Sequence, residues 1–239
     1  MKNHLLLIVF CFFIQNATAQ KVVFISLGDT LQKPEYQQFI YLTDSTDTSN
    51  IIEVGKVKCT GKIDNVIVLF NAIRTRALQC GANAFKFESF KKTEPETAEL
   101  VLSLYYNEDD LFDKNAELLP KNKIYIFGHQ NLLSNKSQTF KLNDDKYEVK
   151  AGTYLVFDRK PEGIKISKGG LTGETMYINP SEEGFCKFLS FSSIDINGAQ
   201  SYPSNGGVAV NFNTGRINHI EPNLALALLK IYRQIEVAQ

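Results

Sequence analysis

Residues 64–90, DNVIVLFNAIRTRALQCGANAFKFESF, decide how the first half of this chain folds. Val66, Phe70, Ile73 and Ala77 recur at helical spacing with Leu69 and Cys80 beside them, so the spacing predicts a helix with one apolar face. Asp64 is the expected N-cap, because its carboxylate can accept from the free N–H groups of the first turn. Gly81 is the expected stop, because glycine enters the left-handed conformation that closes a helix. Phe85 and Phe87 then alternate with Lys86 and Glu88, the period of a half-buried strand.

Short apolar runs lie on either side of this unit. Lys21 to Ser26, Phe39 to Thr43 and Asn50 to Cys59 precede it, and Leu100 to Tyr106 follows it. Each is bounded by polar or charged turns, and each predicts a strand. Strands flanking one long helix, without alternating βαβ units, point to an α+β domain and not to a doubly wound sheet.

Val54-Gly55-Lys56-Val57, the helix, and the turn Cys80-Gly81-Ala82-Asn83-Ala84 together resemble the small α+β domain of RcsF-like and YbjQ-like envelope proteins. The resemblance covers residues 50–106 and implies a fold and an envelope setting. The turn itself has a structural explanation: a glycine C-cap, an asparagine to bond the turn backbone, and two small alanines for close packing. The RcsF-like stress sensor is a lipoprotein with paired disulfides beyond its helix, whereas this chain has no cysteine between Gly81 and Phe185. What the resemblance implies is therefore the domain and not the sensor's disulfides.

At the amino terminus, Lys2, the ten-residue apolar run Leu5 to Ile14, and Ala17-Thr18-Ala19 give the three parts of a secretory signal peptide, with cleavage expected after Ala19. The run falls well short of the roughly 20 apolar residues of a transmembrane helix, and no other run approaches that length, so no stable membrane span is expected. Phe10 stands where a lipid-attachment signal would place a small residue before Cys11, so no acyl chain is expected. The protein is then periplasmic or extracellular. Removing residues 1–19 leaves 220 residues and changes 26 basic against 26 acidic side chains to 25 against 26. So neutral a chain has no electrostatic footprint for nucleic acid. Cys59, Cys80 and Cys186 remain, with no C-x-x-C or Cys/His spacing for a metal, and read as small core hydrophobes.

Residues 109–122 are acidic and polar with Pro120 near their end, and mark the expected linker between a domain at 20–108 and a second at 123–239. Leu111, Phe112, Leu118 and Leu119 imply that part of this linker packs as a short helix. Beyond it the pattern turns to strands: Lys123 to Gly128, Gln138 to Leu142, Tyr147 to Val149, Thr153 to Asp158, Gly163 to Ser167, Thr175 to Asn179, Phe185 to Phe191, Gly207 to Phe212 and Arg216 to Ile220. Asn143 to Lys146 reads as a four-residue hairpin turn. Pro222 opens a helix whose Leu224, Leu228, Ile231 and Ile235 make an apolar stripe. The predicted fold is an α+β N-terminal domain followed by a mostly antiparallel β-sandwich domain with a C-terminal helix.

Ile124-Tyr125-Ile126, Phe140-Lys141-Leu142-Asn143, Ala151-Gly152-Thr153-Tyr154-Leu155 and Pro161-Glu162-Gly163-Ile164-Lys165-Ile166 resemble an uncharacterised bacterial envelope family with a two-sheet, prealbumin-like sandwich. The resemblance covers residues 123–168. It implies a sandwich and carries no activity.

The residues nominate no catalytic, cofactor-binding or metal-ligating side chain. His129 and His219 each end a strand pattern without a neighbouring ligand set, and no nucleophile elbow is present. Lys168 to Thr175 loosely resembles a phosphate loop, but Glu174 stands where its lysine belongs and would repel the ligand. Carboxylates are scattered in turns. Tryptophan is absent, which leaves Tyr105, Tyr106 and Tyr202 as the aromatic platforms open to a sugar. The expectation is a non-catalytic binding or scaffold module of the envelope, with an envelope protein or a small ligand as partner and no cofactor. The alternatives are a hydrolase with a loop-built site and His129 or His219 as base, and a carrier of a small apolar ligand. A His, a carboxylate and a Ser converging in one cleft would favour the hydrolase, and an exposed apolar patch the binding module.

Overall fold

The computed structural model describes residues 20–28, 38–107, 110–169, 173–180, 184–192 and 215–236. The expected signal peptide, the strand expected at Gly207 to Phe212 and Tyr202 lie outside them.

Five strands form the first sheet: β1 (Lys21–Leu27), β2 (Ile40–Tyr41), β3 (Ile52–Lys62), β4 (Ala84–Glu94) and β5 (Thr97–Tyr106). Their order is β1-β3-β5-β4-β2, with β2 parallel to β4 and the other pairs antiparallel. Register sets Val57, Leu102 and Phe87 in one row and Cys59, Leu100 and Phe90 in the next. Helix α1 (Val66–Gln79) packs on that face with Val66, Leu69, Phe70, Ile73 and Ala77 buried, the stripe read from the sequence. At its end Gly81 has φ 86°, the Gly81 N–H donates to Leu78 O and the Ala82 N–H to Ala77 O, the two bonds of a Schellman cap.

The start of α1 differs from expectation. Its N-cap is Asn65, in extended conformation and without a side-chain capping bond, while Asp64 is exposed in the preceding turn. The cause lies one residue earlier. Ile63 is fully buried and its N–H donates to Glu96 O at 2.9 Å, which pins the turn and delays the helix.

Helix α2 (Asp110–Glu117) occupies the linker. The rest of the chain forms two more sheets. One has the order β11-β10-β7-β8, from β7 (Ser137–Leu142), β8 (Asp145–Lys150), β10 (Ile164–Lys168) and β11 (Glu174–Ile178). The other has the order β13-β12-β6-β9-β14, from β6 (Lys123–Phe127), β9 (Thr153–Asp158), β12 (Lys187–Ser192), β13 (Arg216–His219) and β14 (Arg233–Gln234). Most pairs are antiparallel; β12 with β6 and β14 with β9 are parallel. Ile124, Ile126, Leu155, Leu189 and Phe191 share one buried cluster with Phe140, Leu142, Val149 and Ile166 of the four-stranded sheet. The alternate residues Tyr125, Phe127, Tyr154 and Phe188 belong to a second cluster, together with α1, the first sheet and the C-terminal helix α3 (Pro222–Ile231). The central strand Ile124-Tyr125-Ile126-Phe127 is apolar on both faces because both are covered.

Two further expectations are corrected. Leu142 pairs with Asp145, so the hairpin turn is the two residues Asn143 and Asp144, at φ 49° and 75°. Both residue types tolerate that conformation, and the Asn143 side chain also accepts from the Lys165 N–H at 2.8 Å. Helix α3 is shorter than its pattern. Leu224, Ala225, Leu226, Ala227 and Leu228 are all buried, so the helix is enclosed and not striped. After Ile231 the chain turns extended at Tyr232 and adds Arg233–Gln234 to β9, which takes Ile235 to the sandwich cluster.

Candidate functional site

A set of backbone bonds gathers the α2–β6 connection, the end of β9 and the start of β12. The Asn122 N–H donates to Gly184 O at 2.8 Å, and the Arg159 N–H donates to Asn122 O at 2.9 Å. The Arg159 guanidinium spans the gap, donating through Nη2 to Asn179 O at 2.8 Å and through Nη1 to Phe185 O at 3.3 Å. The Cys186 thiol donates to Pro120 O at 3.0 Å. Held by its neighbours on both sides, Phe185 projects its ring outward and is 88% exposed.

Two clefts flank that ring. One, of about 440 Å³, is apolar and is walled by Ala116, Leu119, Pro120, Cys186, Phe188 and Leu226 in addition to Phe185. The other, of about 470 Å³, carries Arg159, Lys187 and His219 beside Met176 and Tyr177, whose ring is 70% exposed. No carboxylate and no serine lines either cleft among the described residues. Burial pushes the Cys186 thiol up, against the opposing pull of a bond from the Lys123 backbone and the charges of Lys123 and Arg159. Burial likewise raises Cys59, to about 11. Cys59, Cys80 and Cys186 are free thiols, and burial that favours the protonated form makes Cys59 and Cys186 weak nucleophiles.

The structure separates the residues that the sequence singled out. His129 lies beyond the end of β6, where its Nδ1 accepts from the Asn131 N–H at 3.0 Å. His219 ends β13 and faces the cationic cleft. The charged residues flanking the glycine run are engaged in packing. Lys168 Nζ donates to Thr139 O at 2.7 Å over the Phe191 ring, and Glu174 accepts from the Ile217 N–H at 2.6 Å. Tyr105 and Tyr106 are half-buried at the end of β5. No group of three or more His, Cys, Asp or Glu side chains among the described residues is placed to hold a metal ion, and no described helix is long and apolar enough to cross a membrane.

No protein-family model, curated protein or solved structure matches the chain. Sequence reasoning missed Tyr177 and Phe185. The pattern Phe185 to Phe191 predicts a strand from Phe185, whereas β12 begins at Lys187, so Phe185 stands just ahead of the sheet.

Proposed function

We propose that this protein is a non-catalytic binding module exported to the periplasm or beyond, and that it receives an apolar group of a ligand or partner in the cleft beside Phe185. The exposed ring at the lip of that apolar cleft carries the reading. A phenylalanine left in water forgoes about 2 kcal/mol of burial, which a ligand seated against it would recover. The hydrolase alternative needs a nucleophile within hydrogen-bond reach of a base.

Titration of the mature chain with the uncharged fluorophore N-phenyl-1-naphthylamine tests this reading. Saturable binding at one site is expected. Phe185→Ala should weaken it about tenfold, the loss of one aromatic contact. Ala116→Trp should fill the cleft and remove binding while sparing the fold, since Ala116 is an exposed residue of α2. Affinity unchanged in both variants would place the probe elsewhere and end the proposal. Export has its own readout: an intact mass starting at Gln20 without an acyl group is expected, and an acylated chain starting at Cys11 would overturn it.

A further inference from the structure

We infer that the ligand of this site is an organic anion with an apolar body, bound as a single molecule across both clefts. Its apolar part would lie in the first cleft and its acid group beside Arg159, Lys187 and His219 in the second. The inference rests on the reading of the apolar cleft given above and names the class of molecule that enters it.

The two clefts are neighbours through shared residues. Phe185 lines both. Arg159, which lines the cationic cleft, also borders the apolar one: a Cβ at Gly184 would meet its Nη1 at 2.4 Å. The bonds that fix the guanidinium go to the carbonyl oxygens of Asn179 and Phe185, which orient it without cancelling its charge. Lys187 enters from β12 and His219 from β13, adjacent strands in which Leu189 stands opposite His219. Three nitrogen-bearing side chains, Arg159, Lys187 and His219, around one concavity suit an acid. A carboxylate or sulfonate there gains charge-assisted hydrogen bonds that a neutral head cannot make. Tyr177 adds a second exposed ring to the same wall. Both clefts are concave and of small-molecule size, which favours a monomeric amphiphile over a membrane surface.

The test compares two probes with similar rings on the mature chain: 8-anilinonaphthalene-1-sulfonate, which is charged, and N-phenyl-1-naphthylamine, which is not. Lys187→Glu and the double variant Lys187→Ala with His219→Ala change only exposed side chains, so the fold is retained. Lys187→Glu should weaken the sulfonate at least tenfold and leave the neutral probe within twofold. The double variant should weaken the sulfonate in the same direction. Dodecanoate below its micellar concentration should displace the sulfonate at least tenfold more effectively than dodecanol, which competes for the apolar cleft alone. Equal loss of both probes, or loss of neither, would overturn the inference. So would displacement by phosphatidylglycerol vesicles with none by monomeric dodecanoate. A neutral probe that fails on the unmodified protein would instead sink the apolar-cleft reading. A sulfonate that still binds and still responds to Lys187→Glu would then mark a purely anionic site.

Discussion

A Cβ at Gly55 would lie 2.3 Å from the carbonyl oxygen of Ser26, and the backbone there has φ 149°. Gly55 sits at a register shift of β3 against β5 and stands opposite Leu27 of β1, whose backbone approaches where a side chain would begin. Gly55→Ala should cost at least about 2 kcal/mol, read as a lowered denaturant midpoint, because it adds both a clash and a strained dihedral. An unchanged midpoint would mean that β1 does not close on β3 at this point. Asn115 is the polar counterpart, at 1% exposure. Its Oδ1 accepts from the Thr43 N–H at 2.9 Å and the Thr46 hydroxyl at 2.6 Å, and its Nδ2 donates to Tyr41 O at 2.8 Å. Asn115→Leu removes the partner of the Thr43 N–H and of Tyr41 O, while the Thr46 hydroxyl keeps its bond to the Thr43 hydroxyl at 2.8 Å, and should destabilise by about 3 kcal/mol in the same assay. A loss below about 1 kcal/mol would mean that water replaces the amide. Gly55 was legible as a feature of its strand. Asn115 was not, because its partners stand about seventy residues away and a lone asparagine in an acidic stretch carries no periodic signal.

Elements governed by local periodicity could be read, and those governed by what packs over them could not. Helix α1 follows from spacing, since one face is buried and the other wet, and its stop follows from Gly81. Helix α3 failed that test because it lies between β2 and β4 of the first sheet and β12 and β14 of the third, where enclosure erases the contrast between faces. The site escaped for a related reason. Its walls come from α2, β11, β12, β13, α3 and Arg159 just beyond β9, and nothing local to any of them reveals the others. Enclosure also ranks the residues of α3. Leu228, 1% exposed, should lose about 2–5 kcal/mol on truncation to alanine. Lys230 pairs with Asp44 at the exposed rim, and Lys230→Ala should cost less than about 1 kcal/mol. Chemical denaturation of the two variants compares them directly. Equal losses would mean that the helix is held at its rim and not by its buried side.

Across the whole molecule one buried cluster joins the first sheet to α3 and to the outer face of the five-stranded sheet. The boundary proposed at residues 109–122 divides the chain in sequence, and this cluster sets the test of whether it also divides the folding. Three tyrosines of the cluster supply the probe. Burial pushes the Tyr41 hydroxyl up to about 12, with the nearby Asp44 charge adding to it, and burial raises Tyr125 to about 12 and Tyr232 in the same direction. An unfolded tyrosine ionises near pH 10. Below that pH all three are neutral in both states and do not affect stability. Between about pH 10 and 12 the unfolded chain gives up protons that the folded chain still holds, so it binds fewer, and stability falls as pH rises. Tyr41 lies on β2, Tyr125 on β6, and Tyr232 follows α3, so the ionised forms oppose burial in one shared core. Alkaline titration of the mature protein should therefore show loss of far-ultraviolet circular dichroism in a single step above pH 10, with the late part of the tyrosinate absorbance, that of the buried tyrosines, rising in the same step. Two separated steps, each removing part of the secondary structure, would show that residues 20–108 and 123–239 fold as independent units despite the shared core.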